Sequence, residues 1–69
     1  MAIESDCYLV TTNDGEIMSL RIILDKSSGK YKILNIETGE QVYNRTFITP
    51  IIAYQNIKFD KNIADIMVI

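Results

Sequence analysis

Apolar and polar residues alternate through the first two thirds of the chain, and three glycine-containing turns interrupt the alternation. The turns read Asn-Asp-Gly-Glu, Lys-Ser-Ser-Gly and Glu-Thr-Gly-Glu, at residues 13–16, 26–29 and 37–40. A period of two is typical of a strand with one buried face, and such turns are typical of hairpins. The pattern therefore predicts four strands in an antiparallel meander, at residues 7–12, 16–25, 30–36 and 41–47.

The first turn sets the register of the first hairpin. Asp14-Gly15 favours a two-residue type I′ turn, in which both central residues have positive φ. This turn pairs Leu9 with Leu20, and residues 7 and 22 likewise face each other. A register shift of one residue would move every side chain of the strand to the opposite face, so the prediction depends on the length of this loop.

The later turns predict that Ile22 and Leu24 pair with Ile33 and Tyr31, and that Leu34 pairs with Tyr43. The predicted core face comprises Cys7, Leu9, Met18, Leu20, Ile22, Leu24, Tyr31, Ile33 and Val42. The second face comprises Tyr8, Val10, Ile17, Arg21, Ile23, Lys32, Leu34, Ile36, Tyr43, Arg45 and Phe47. Because this second face is too apolar to be left in water, we expect the C-terminal third or a second subunit to cover it.

The C-terminal third allows more than one interpretation. Pro50 is expected at a strand end, a bulge or a sheet edge, and residues 51–59 are predicted to form a fifth strand. From Asp60 onward, a short helix capped by Asp60 and a terminal strand at residues 66–69 both fit the pattern. The predicted fold is mainly β, with about five antiparallel strands in a small SH3-like or OB-like barrel or sandwich and a short C-terminal helix or strand.

The size of the chain limits how it can be stabilised. Its 69 residues predict one small domain, and small domains usually need a disulfide, a metal or oligomerisation for stability. Cys7 is the only cysteine and histidine is absent, so neither an internal disulfide nor a structural zinc site can form. Thirteen isoleucines also exceed what one small core is expected to hold. We therefore expect a homo-oligomer.

Charge and hydropathy exclude several classes of protein. The net charge of -2 lacks the strong basic balance typical of nucleic-acid-binding domains. No stretch of about 18 apolar residues exists, so no membrane partner is expected. The acidic residues near the N-terminus do not fit a signal peptide, and a lone cysteine fits a reducing compartment. A cytoplasmic location is predicted, in the host cell if the chain is viral.

Catalytic and metal-binding chemistry has few candidates. Without histidine the usual general base near neutral pH is missing, and Cys7 falls on the predicted core face. The carboxylates at the turns, Asp14 with Glu16 and Glu37 with Glu40, are too few for a calcium loop. The sequence predicts a non-enzymatic protein without a cofactor or a metal.

One group of residues on the second face suggests a binding function. The predicted registers bring together an aromatic and cationic set, namely Tyr8, Arg21, Lys32, Tyr43 and Arg45. Tyrosine and arginine are enriched at protein-binding hot spots, which favours a small inhibitor or adaptor acting by protein–protein contact, of the kind that viruses and mobile elements encode. Two alternatives remain open. The same set could bind single-stranded nucleic acid or an anionic nucleotide, and the chain could be a structural subunit of a larger assembly.

Overall fold

The computed structural model describes residues 7–69 and shows a mainly β fold. Its elements are β1 (Cys7–Thr12), β2 (Ile17–Asp25), β3 (Lys30–Asn35), β4 (Gln41–Phe47), the helix α1 (Pro50–Lys58) and β5 (Ile63–Val68). The five strands form one antiparallel sheet in the order β4-β3-β2-β1-β5. Because β4 and β5 lie at opposite edges, the sheet is open, and the predicted barrel closure is not formed.

The helix packs on one face of the sheet and encloses the core with it. The core consists of side chains that are almost completely inaccessible to water, namely Tyr8, Val10, Leu20, Ile22, Ile33, Phe47, Ala53 and Ile57. Complete burial of a large aliphatic or aromatic side chain contributes about 1.5–3 kcal/mol. This cluster therefore supplies most of the hydrophobic stabilisation and fixes which face of each strand points inward.

The first hairpin differs from the prediction by one residue. The Thr12 amide donates to the Glu16 carbonyl at 2.8 Å, and the Gly15 amide donates to the Thr12 carbonyl at 3.0 Å. Gly15 has a φ of 90°, so the loop contains three residues and ends in a left-handed glycine rather than forming a two-residue turn. Tyr8, not Leu9, consequently pairs with Leu20. The predicted faces of β1 are exchanged.

The second hairpin confirms its predicted register, whereas the third does not. Ile22 pairs with Ile33, as expected. Leu34 pairs with Gln41 rather than with Tyr43. Ile33 then pairs with Val42 but Tyr31 pairs with Phe47, so the register between β3 and β4 shifts between these two pairs. A bulge inserts unpaired residues and redirects the side chains that follow it. This irregularity turns Phe47, predicted on the second face, into the core.

The predicted fifth strand at residues 51–59 is wrong, because this segment forms α1. Thr49 caps the helix by accepting a hydrogen bond from the Ile52 amide at 3.1 Å. Pro50 occupies the first helical turn, where its missing amide hydrogen costs nothing. Ala53 and Ile57 lie four residues apart and point into the core. Of the two interpretations of the C-terminus, the strand is confirmed, and β5 pairs with β1.

Candidate binding face

The sheet face opposite α1 carries no covering element among residues 7–69, and we call it the open face. Side chains alternate along a strand, so the open face holds the residues between the core positions. Its members are Cys7, Leu9 and Thr11 of β1, Ile17, Ser19, Arg21, Ile23 and Asp25 of β2, Lys30, Lys32 and Leu34 of β3, Gln41 of β4, and Asp65 and Met67 of β5.

Apolar side chains lie on four of the five strands of the open face, around one central arginine, and continue to one edge. Leu9 pairs with Met67 on the neighbouring strand. Leu9, Ile23 and Leu34 are half-buried, although no other element within residues 7–69 lies above them. Met67 and Ile17 are 55% and 62% exposed. Contiguous apolar surface of this kind is typical of an interaction site.

Arg21 lies at the centre of the open face. It is exposed, and its Cα partners are Cys7 on one side and Leu34 on the other. The methylene groups of arginine can lie over apolar neighbours while the guanidinium stays in water. A cationic group surrounded by apolar surface can donate several hydrogen bonds to a docked protein. Lys32 joins the same face at the neighbouring strand, opposite Ile23.

The structure does not bring the five predicted binding residues together. Arg21 and Lys32 share the open face, but Tyr8 is completely buried on the helix side, with its ring 5.4 Å from that of Tyr54. The predicted contact between Tyr8 and Arg21 is therefore wrong. Its cause is the three-residue first loop, which moves Tyr8 to the other face.

Tyr43 and Arg45 lie in the irregular part of β4, and Tyr43 does not pair with Leu34, its predicted partner. Tyr43 has a φ of 62°, and its hydroxyl donates to the Asp60 carboxylate at 2.9 Å. Partial burial, together with the Asp60 carboxylate, raises the pKa of Tyr43 well above its ordinary value. Arg45 is exposed and lies 5.1 Å from the Phe47 ring centroid, a cation–π contact. Both residues thus support local structure in β4.

Cys7 and Leu9, predicted in the core, belong instead to the open face. The same loop explains both corrections, because a three-residue turn places the odd-numbered residues of β1 opposite the helix. The run Thr-Asn-Asp-Gly-Glu fits a loop of three residues as well as one of two. That ambiguity was the available indication that Leu9 could be part of a binding surface.

A cleft of about 410 Å³ lies beside the first hairpin loop. Its lining residues are Thr12, Asn13, Asp14, Glu16, Met18 and Asn62. The Thr12 hydroxyl donates to the Asp14 carboxylate, which lowers the pKa of Asp14. The Asn13 side-chain amide donates to the Lys61 carbonyl at 2.6 Å. The Asn13 contact ties the loop to the turn that precedes β5. Within residues 7–69, no three His, Cys, Asp or Glu side chains are grouped to hold a metal.

Two further findings concern the chain in general. Within the described part, no helix has the length and apolar character needed to cross a membrane. Comparison with protein-family models, with curated proteins and with solved structures gives no match.

Proposed function

We propose that this protein is a non-enzymatic binding module that contacts a partner protein through the open face. The observation that carries the proposal is a regular sheet face with apolar side chains around Arg21 and no covering layer among the described residues. Leu9, Leu34 and Met67 would lose water contact when a partner docks, which favours binding by about 25 cal/mol for each Å² of apolar area buried.

The distribution of side chains on the open face is consistent with a protein interface. Protein interfaces commonly have an apolar centre, a polar rim and arginine among the residues that contribute most to affinity. Here Arg21 lies among apolar neighbours, Gln41 and Asp65 lie on the two edge strands, and Lys32 lies on β3, next to the edge strand β4. The face therefore carries positive and negative side chains around its apolar residues, as expected for a surface that recognises protein.

The rigidity of the sheet supports an inhibitor or adaptor role. Side chains on hydrogen-bonded strands are held in position before binding, which lowers the entropy lost on association. A module of this size then acts by occupying a surface of its partner. Its single thiol fits a reducing compartment, so we place this activity in the cytoplasm, of the host cell in the case of a viral protein.

Protein contact is favoured over the nucleic-acid alternative on physical grounds. Binding of single-stranded nucleic acid uses aromatic rings as stacking platforms beside positive charge. Tyr8 is completely buried and Tyr43 is half-buried against Asp60, so neither ring lies beside Arg21 on the open face. The open face keeps cations but has no aromatic platform among its described residues.

The proposal is tested by affinity capture from an extract of the source cells, followed by mass spectrometry. Three chains are compared: the wild type, Leu9→Asp on the open face, and Gln55→Glu on the exposed side of α1. Each variant adds one negative charge, so only the location of the charge differs. We expect the wild type and Gln55→Glu to retain the same protein in high salt, and Leu9→Asp to lose it.

Arg21→Ser provides a second variant of the open face, because it removes the central cation from an exposed position. Circular dichroism establishes that each variant is folded. Equal capture by all folded variants would overturn the proposal. Recovery of nucleic acid that salt removes would instead support the nucleic-acid alternative, since phosphate-driven affinity falls steeply with salt. Recovery only of a stoichiometric multi-protein complex would support a structural subunit.

A further inference from the structure

The two edges of the sheet differ in their capacity to accept another strand. Edge strands of natural proteins are usually protected by bulges, charges or side chains that occupy the free backbone groups. β4 has all three. Its ladder is irregular, Arg45 is exposed on it, and the Gln41 side-chain amide donates to the carbonyls of Tyr43 and Arg45 at 3.1 Å each. An incoming strand cannot use these carbonyls without displacing Gln41.

β5, at the opposite edge, has no such protection from any of residues 7–69. Its register with β1 shifts only near Thr12 and is regular from Asp65 to Val68. The Ile69 amide donates to the Cys7 carbonyl at 2.9 Å, so residue 69 points its backbone groups toward β1. In an antiparallel pair the direction of these groups alternates from residue to residue. Ile66 and Val68 therefore direct their N–H and C=O groups away from β1, to the free edge.

The side chains around this edge are apolar. Residues 66–69 read Ile-Met-Val-Ile, and Met67, Val68 and Ile69 are 55%, 44% and 70% exposed. Exposed, uncharged segments with free backbone groups readily recruit another strand. Asp65 is the one charged residue of β5.

We propose that β5 pairs antiparallel with β5 of a second copy of this chain, about a two-fold axis at Met67. In this register Ile66 of each copy faces Val68 of the other, and each of the two pairs exchanges two backbone hydrogen bonds. The two copies present the same edge to each other, as a two-fold interface requires. The two Asp65 residues lie about 13 Å apart along the strands, because four residues at ~3.3 Å separate them.

The protected edge at β4 explains why assembly stops at two copies. Continued growth of a sheet needs two receptive edges on each molecule, and β4 is blocked by its bulge and by Gln41. The dimer also places the two open faces side by side in one continuous sheet. Met67 belongs to both sites, but the dimer depends on the backbone edge of β5 and the partner site on side chains of the open face, so either proposal can fail without the other.

The dimer is tested by light scattering of the purified full chain over a range of concentrations. We expect a mass of twice 7.9 kDa that does not depend on salt. Val68→Pro removes the outward N–H, which β1 does not use, and should raise the dimer dissociation constant at least about tenfold. Val68→Thr retains the N–H and should remain dimeric. Val68→Lys places a charge at the same edge and should be monomeric.

Disulfide trapping tests the axis. In a Cys7→Ser background, Met67→Cys places two thiols at the axis, where opposed Cα atoms are about 4.5–5.5 Å apart and a disulfide can form. Asp65→Cys is the matched control and should not cross-link. A monomeric wild type, a dimer that survives in folded Val68→Pro, or cross-linking through residue 65 but not residue 67 would each overturn the proposal.

Discussion

At the scale of single residues, backbone conformation at Gly15 decides which side chains reach the core. Its φ of 90° closes the three-residue loop and thereby sets the register of β1. A Cβ added at this position would meet no atom within 4 Å. Glycine is therefore needed here for its backbone conformation, because positive φ strains residues with a side chain. Neighbouring atoms would leave room for a Cβ.

Replacing Gly15 with valine should lower the free energy of unfolding by more than about 1 kcal/mol, because a β-branched residue resists positive φ. Asparagine tolerates the left-handed region, so Gly15→Asn should cost less. Urea unfolding of both variants measures the difference. Equal stability of Gly15→Val and the wild type would show that the loop does not need a left-handed residue.

Tyr43 links the irregular strand β4 to the turn after α1 through its hydrogen bond to Asp60. Its pKa is raised in the folded protein, first by burial and then by Asp60. In the unfolded chain tyrosine ionises at about pH 10. The stabilising contribution is therefore complete below about pH 10 and is lost as the pH rises from there toward the folded-state pKa.

Tyr43→Phe should reduce the free energy of unfolding by about 1 kcal/mol near neutral pH, because it removes this hydrogen bond. The difference from the wild type should shrink above about pH 10, where ionisation in the unfolded state weakens only the wild type. Urea titrations of the two proteins on either side of that pH provide the measurement. If the difference in free energy of unfolding between the two proteins stays constant across this pH range, Tyr43 does not make the stability sensitive to alkaline pH.

At the scale of elements, loop length and capping decided where sequence-based prediction succeeded. The β2–β3 register follows from the turn and from the alternation on both strands, and it is confirmed. The β1 register failed because Asn-Asp-Gly serves loops of two or three residues. The helix was missed because Ile51 and Ile52 resemble a strand, although Thr49-Pro50 is a typical helix start. Nothing in the sequence marks the bulge that redirects Phe47.

The same distinctions explain how much of the candidate site the sequence predicted. The sequence predicts Arg21, Lys32 and Leu34 on the second face, and they do share the open face, because the predicted β2–β3 register is correct. Tyr8 was included and Leu9 omitted for one reason, the length of the first loop. Which face of the sheet stays uncovered depends on the side that α1 occupies. Because the sequence analysis predicts a strand in place of α1, it cannot predict which face is uncovered.

Thr49→Ala should destabilise the protein by about 1 kcal/mol, because it removes the side-chain acceptor for the Ile52 amide. Thr49→Ser keeps the hydroxyl and should stay close to the wild type. Thermal unfolding monitored by circular dichroism compares the three chains. If alanine and serine behave alike, the cap does not contribute to stability.

At the scale of the whole molecule, one helix covers one face of a five-stranded sheet, and no element within residues 7–69 covers the other face. The edges add a second asymmetry, because β4 is protected and β5 is not. A small chain rich in isoleucine thus places surplus apolar surface at two sites, an open face suited to another protein and an edge suited to a second copy.

The most direct test of this account places the same charge on two neighbouring residues of β1. Val10 is completely buried in the core, whereas Leu9 lies on the open face. Urea unfolding should show that Val10→Asp abolishes the folded state, since an unpaired buried charge is strongly unfavourable, and that Leu9→Asp keeps a cooperative transition. If Leu9→Asp unfolds while Val10→Asp stays folded, the faces of β1 are reversed and the open face is not the surface described.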